Sequence, residues 1–173
     1  MFEVLSERAI QMHKDYLNSL MLRRSIFEKS YPNGVFEANI KGKGIARIER
    51  DRMRELDFEI SAHQIFFDSF SNSRYQHSDV VRRQYGDISY LMNEVFGMCM
   101  SKPSGFVYIV MQRGRVEVLA GEDKTEMPKD TVLAVDNCEH VYFLDYGFDK
   151  ERFLCRLLPY LSLAKIDQFS KSS

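Results

Sequence analysis

The chain has 173 residues, 45% of them hydrophobic and 13% aromatic, enough apolar material for one domain or for two small lobes on a shared core. Its 24 basic and 25 acidic residues nearly cancel, which argues against the clustered basic face that nucleic-acid binding requires. No apolar run approaches the roughly 20 residues of a membrane span, no signal peptide is seen at the N-terminus, and three irregularly spaced cysteines (Cys99, Cys138 and Cys155) suit a reducing compartment, cytoplasmic or mitochondrial.

Ser6 is placed to cap a first helix, with Glu7 in its first turn. Ile10, His13, Leu17, Leu20 and Met21 then recur at helical spacing to about Lys29. Tyr31-Pro32-Asn33-Gly34 reads as a stop and turn. A second helix is expected from about Ala46 to Phe70, with Leu56, Ile60, His63, Phe67 and Phe70 on one face. The basic stretch from Lys41 to Arg54 is interrupted by Glu49 and Asp51 and reads as a solvated helix face. Polar residues from Ser71 to Ser78 form a connector, and the chain divides there into an N-terminal helical hairpin (1–75) and a C-terminal lobe (76–173).

In that lobe, Asp79 to Met100 holds one or two helices. Strands are expected at Phe106–Met111, Arg115–Leu119 and Thr131–Val135, the first two joined by a turn at Arg113-Gly114. A charged loop runs from Gly121 to Asp130, and one last helix from about Lys150 to Phe169. Helices followed by a small antiparallel sheet and helix again make an α+β fold with a three-stranded antiparallel sheet.

There are four histidines, His13, His63, His77 and His140. A buried imidazole costs desolvation unless its nitrogens find partners, so a single one reads as a satisfied core histidine. Two on successive helices, with Asp136 and His140 four apart after a strand, form an imidazole and carboxylate set that suits Fe, Mn or Zn. Spacing alone leaves metal binding and core packing both open.

The segment Asp136-Asn137-Cys138-Glu139-His140-Val141-Tyr142-Phe143-Leu144-Asp145-Tyr146 resembles the C-terminal signature of iron/manganese superoxide dismutases. Gly105-Phe106-Val107-Tyr108, Tyr85-Gly86-Asp87-Ile88, Ala62-His63-Gln64-Ile65-Phe66-Phe67 and Leu5-Ser6 through His13 resemble further segments of that family, in its order. The resemblance implies the fold of that family and one Fe or Mn ion per chain, held by His13, His63, Asp136 and His140 with a solvent position open. Three neutral imidazoles and one carboxylate would leave a divalent ion able to accept an anion, and a bound water would have a lowered pKa. The implied substrate is superoxide, disproportionated to oxygen and hydrogen peroxide. Glu139 is implied to cross a homodimer interface to the ligand histidine of the other subunit.

The chain also departs from the family. It has no Trp, and Phe67, Phe106, Tyr108 and Cys138 stand where tryptophans are usual. The active-site Gln comes from one of two places, occupied here by Glu59 and Glu122. On the first helix, His13 as ligand puts Met21 at the gateway Tyr position; the other register keeps Tyr16 as gateway but puts Arg8 at the ligand position, and the two registers read as exclusive. Tyr16, Glu59 and Glu122 are the expected catalytic groups, while Arg8 and Lys14 read as solvated charge. The alternatives are a non-catalytic relative that serves as an interaction module, as in mitochondrial ribosomes, where nucleic acid would be near, and a redox-silent metal protein.

Overall fold

A computed structural model describes residues 4–30, 43–121 and 126–172, with backbone alone for 43–50. The turn expected at 31–34 and Glu122 lie outside the described residues. Helix α1 (Glu7–Ser30) starts as its sequence predicts: Ser6 Oγ accepts from the Ala9 amide at 3.1 Å. It buries Ala9, Ile10, His13 and Leu20, while Met21, expected on the same face, is 42% exposed. Helix α2 (Lys43–Asp68) packs antiparallel on α1, burying Phe58, Ile60, Ala62, His63 and Phe66.

Two short helices, α3 (Asp79–Tyr85) and α4 (Ile88–Ser101), follow the connector. Their boundary is Gly86, which takes a φ of 78°, and Asp87, whose carboxylate caps α4 through the Ser89 amide at 2.7 Å. Strands β1 (Phe106–Gln112), β2 (Arg115–Ala120) and β3 (Thr131–Asp136) form an antiparallel sheet in the order β2-β1-β3. Between β1 and β2, Arg113 and Gly114 both take positive φ, 51° and 74°, as a two-residue type I′ hairpin turn requires. The central β1 is a continuous apolar run because both its faces are covered; β2, with one face open, alternates exposed and buried.

The C-terminal part differs from expectation in two respects. A helix α5 (Glu139–Tyr146) follows β3 directly. The single helix expected over 150–169 is broken into α6 (Lys150–Leu157), a 3₁₀ turn (Leu158–Tyr160) and α7 (Ala164–Ser172). Pro159 sits at the break, where it lacks an N–H to donate and its ring obstructs a continuing α-helix. One buried core joins α1, α2, the sheet and the C-terminal helices. Ser69, just past α2, ties two of these parts together: its Oγ donates to Ile65 O at 2.7 Å and accepts from the Ala134 amide of β3 at 2.7 Å. That bond covers the edge of β3 and fixes it against α2. Among the described residues no helix is long and apolar enough to cross a membrane.

Candidate metal centre

Four elements bring four donors to one point. His13 comes from the inner face of α1 and His63 from that of α2; Asp136 is the last residue of β3, and His140 lies in the first turn of α5. One donor atom from each lies within 4.8 Å of all the others. The Nε2 atoms of His13, His63 and His140 stand 3.3, 3.4 and 3.2 Å from a single oxygen, Asp136 Oδ2. His13, His63 and Asp136 are almost wholly buried, whereas the His140 side chain is 40% exposed. Phe66 and Phe67 pack on the His13 ring at 5.1 and 4.8 Å, and Phe106 on the His63 ring at 5.1 Å.

These contacts are not a hydrogen-bonded cluster. His13 Nε2, His63 Nε2 and Asp136 Oδ2 are all buried without a hydrogen-bond partner. Leaving a buried polar atom unpaired costs about 1–3 kcal/mol, more for a charged one. His63 Nδ1 lies 2.7 Å from Glu59 O; donation to that carbonyl leaves its Nε2 as a bare lone pair aimed at the centre. The other Asp136 oxygen, Oδ1, accepts from the Cys138 amide at 2.9 Å, which orients Oδ2 toward the imidazoles. Three imidazole nitrogens and a carboxylate oxygen directed at a common point fit a divalent or trivalent first-row cation, and among the described residues nothing bonds the three that are buried.

The electrostatics of Asp136 and His63 agree with that reading, and that of His140 runs against it. Burial works to raise the Asp136 carboxyl, but the imidazoles of His13 and His140 outweigh it and hold the group well below the usual carboxylate range. Burial pushes His63 down, favouring the neutral form, against the pull of Asp136. Burial acts the same way on His140, but Asp136 prevails and raises it.

On the open side, Tyr16 Oη donates to Glu59 Oε2 at 3.1 Å. The Tyr16 ring lies 5.3 Å from that of His63 and 5.1 Å from that of His140. Burial first, then the Glu59 carboxylate, push its phenol up to about 12. A cavity of 260 Å³ opens here, lined by Phe58, Glu59, His63, Phe106, Cys138 and His140 as well as Tyr16. A second, polar cavity of 530 Å³ between α1 and α2 shares Tyr16 and Glu59 with the first and carries Arg23, Arg52 and Glu55. The Tyr16–Glu59 pair thus stands between the two.

The two helix registers that read as exclusive are not so. His13 reaches the donor cluster, and Tyr16, one turn further along the same face, covers it from outside. Neither Arg8 nor Met21 is needed at the centre, and both are exposed. Lys14 is exposed as well. Glu139 is exposed in the first turn of α5, beside His140. Where tryptophans are usual, Phe67 and Phe106 wall the donors and Tyr108 is fully buried, stacked on Phe106 at 6.0 Å. Cys138, half-buried, faces the cavity, and burial pushes its thiol up to about 12. Sequence reasoning passed over Phe66, Arg23 and Asn137; of these, Asn137 carried a signal, a side-chain amide between a buried strand and the metal-type motif.

A family model described as iron/manganese superoxide dismutases, C-terminal domain, matches residues 73–168, which include Asp136, Glu139 and His140. No curated protein is similar enough to match.

Proposed function

The chain belongs to the iron/manganese superoxide dismutase family, and on that premise we propose that it is a metal-dependent superoxide dismutase, converting two superoxide anions and two protons to oxygen and hydrogen peroxide. One observation carries the proposal: three imidazole nitrogens and a carboxylate oxygen converge within 4.8 Å, and three of those four atoms are buried without a partner. A bound Fe or Mn ion would supply the one-electron exchange that oxidises one superoxide and reduces the next.

The remaining work falls to the chain's own groups. His13, His63, Asp136 and His140 would hold the ion, with Asp136 supplying the negative charge and the Glu59 carbonyl keeping His63 in the donor tautomer. Phe58 and Phe106 exclude bulk water from the cavity wall. Tyr16 keeps its proton at neutral pH and, hydrogen-bonded to Glu59 at the mouth, is placed to hand protons on toward the peroxide being formed. Arg23 shares the polar cavity with this pair and sets positive charge on the side from which an anion would approach. Glu139 and the exposed edge of His140 lie together on α5, a placement that supports a homodimer in which Glu139 reaches the His140 of a second copy.

A second reading has its own support. A carboxylate, Glu59, holds the Tyr16 hydroxyl, and the chain has no Trp to wall the site. A relative that kept the fold for interactions and lost the chemistry would tolerate both changes. Elemental analysis of protein grown with Fe and Mn, together with a superoxide-consumption assay, separates the two. Stoichiometric metal with dismutation supports the enzyme. Metal-free, folded protein selects the interaction module, and loaded protein without turnover selects a redox-silent metal protein.

A further inference from the structure

The turn that carries Asp136 and His140 is fastened at a place the metal chemistry does not touch. Asn137, fully buried between β3 and α5, donates from Nδ2 to Cys99 O at 2.9 Å and to Lys102 O at 3.1 Å. These are carbonyls at the C-terminus of α4, where a helix leaves its last acceptors without intrahelical partners. The Asn137 amide donates to Gly105 O at 2.9 Å, and the Gly105 amide in return meets Cys138 Sγ at 3.2 Å. The residues between the strand-borne carboxylate and the helix-borne imidazole are therefore pinned to the α4–β1 junction by side chain and backbone together. Lys150, from the start of α6, donates to the same two carbonyls, at 3.1 and 2.7 Å, without belonging to the turn.

From this arrangement we infer that Asn137 is a positioning residue for the metal ligands: its amide seats the Asp136–His140 turn on the end of α4 and thereby fixes where both donors point. The inference rests on the metal-centre reading above. It gives Asn137 and Lys150 different roles although they bond the same acceptors. Lys150 satisfies the helix end alone; Asn137 satisfies it and aims the turn. Because Lys150 keeps both carbonyls bonded, an Asn137 variant does not orphan the end of α4.

The test is Co²⁺ titration of the metal-free protein, reading ligand-field absorption and affinity by chelator competition, with apo melting temperature measured in parallel. Asn137→Leu is expected to bind Co²⁺ about tenfold more weakly or worse and to shift the absorption bands. Lys150→Met, which removes as many bonds from the same carbonyls, is expected to lower the apo melting temperature and leave affinity and spectrum at wild-type values. Wild-type affinity and spectrum in Asn137→Leu, or equal losses in both variants, overturns the inference. If Asn137→Leu does not fold, Asn137→Ser, too short to reach both carbonyls, is judged by the same measures. A wild-type protein that takes up no Co²⁺ defeats the metal-centre reading and the inference with it. A loaded Fe or Mn form that does not consume superoxide defeats only the proposed activity, and the two variants still decide the role of Asn137.

Discussion

The inner and outer halves of the candidate centre obey different rules. His13, His63 and Asp136 sit on elements whose neighbouring residues build the core, and all three are almost wholly buried. Tyr16, Glu59 and His140 face cavities and carry partial exposure. Inside, every polar atom is costly, so only groups with a purpose persist there. Outside, solvent screens the consequences of change. The outer half carries a carboxylate, Glu59, on the Tyr16 hydroxyl and a cysteine facing the cavity. The inner half therefore defines what the site can hold, and the outer half defines how well it can work.

The largest test of that division is His63→Ala, expected to reduce bound metal from one ion per chain to background, with activity lost in parallel, as read by elemental analysis. Tyr16→Phe should leave metal content unchanged; equal loss of metal in both would erase the distinction between the halves. Chelation of the loaded protein comes next. A ligand present at a thousand times its dissociation constant stabilises by about 4 kcal/mol, so metal removal should lower the melting temperature by about 10 °C, measured by calorimetry.

The inner wall can also be strained directly. A Cβ at Gly121 would stand 2.9 Å from Tyr108 Cε2 and 3.2 Å from Phe106 O, so Gly121→Ala should destabilise by about 1–3 kcal/mol in urea unfolding.

A reference point outside both halves is Asp167 of α7. It accepts from the Asp79 and Val80 amides, at 2.9 and 3.0 Å, and from Ser78 Oγ at 2.9 Å. Burial is the largest single influence and opposes its ionisation, but these donors together outweigh it and hold its pKa below the ordinary value. A depressed carboxyl stabilises the fold above its unfolded pKa and loses that contribution as pH falls through the folded one. Replacing the charged acceptor by a neutral one, Asp167→Asn should therefore cost about 1 kcal/mol at pH 7. The difference should close in strong acid, with metal affinity untouched throughout. The smallest effects belong to the mouth: Arg23→Glu should lower kcat/KM and Glu59→Gln should raise it, each about threefold at low salt and less at high salt, in stopped-flow assays.

Much of this architecture was legible because its causes are local. The Arg113-Gly114 turn needs only two positive-φ positions between alternating strands, and Ser6 needs only to precede an amphipathic run. The break in the last helix was legible too, since Pro159 cannot continue an α-helix, but the apolar periodicity on either side masked it. Helix α5 was hidden for another reason. Its N-cap residue, Cys138, makes no capping bond with its side chain, and the helix is short. At the centre, the motif marks the donors, and on a linear pattern Tyr16 and His13 read as rivals. On a helix they share one face. The contacts of Asn137 and Arg23 were not legible, because their partners lie far away in sequence: the end of α4 for one, the cavity between α1 and α2 for the other.

The four donors come from both ends of the chain, and Ser69 locks the α2 end to β3 only once the sheet exists. Of the four donors, a chain that has emerged as far as the end of α2 offers only His13 and His63. The full coordination set therefore exists only once α1 and α2 have packed against β3 and α5. In such a molecule an ion would arrive as the last piece of assembly, and its retention would report that folding had finished.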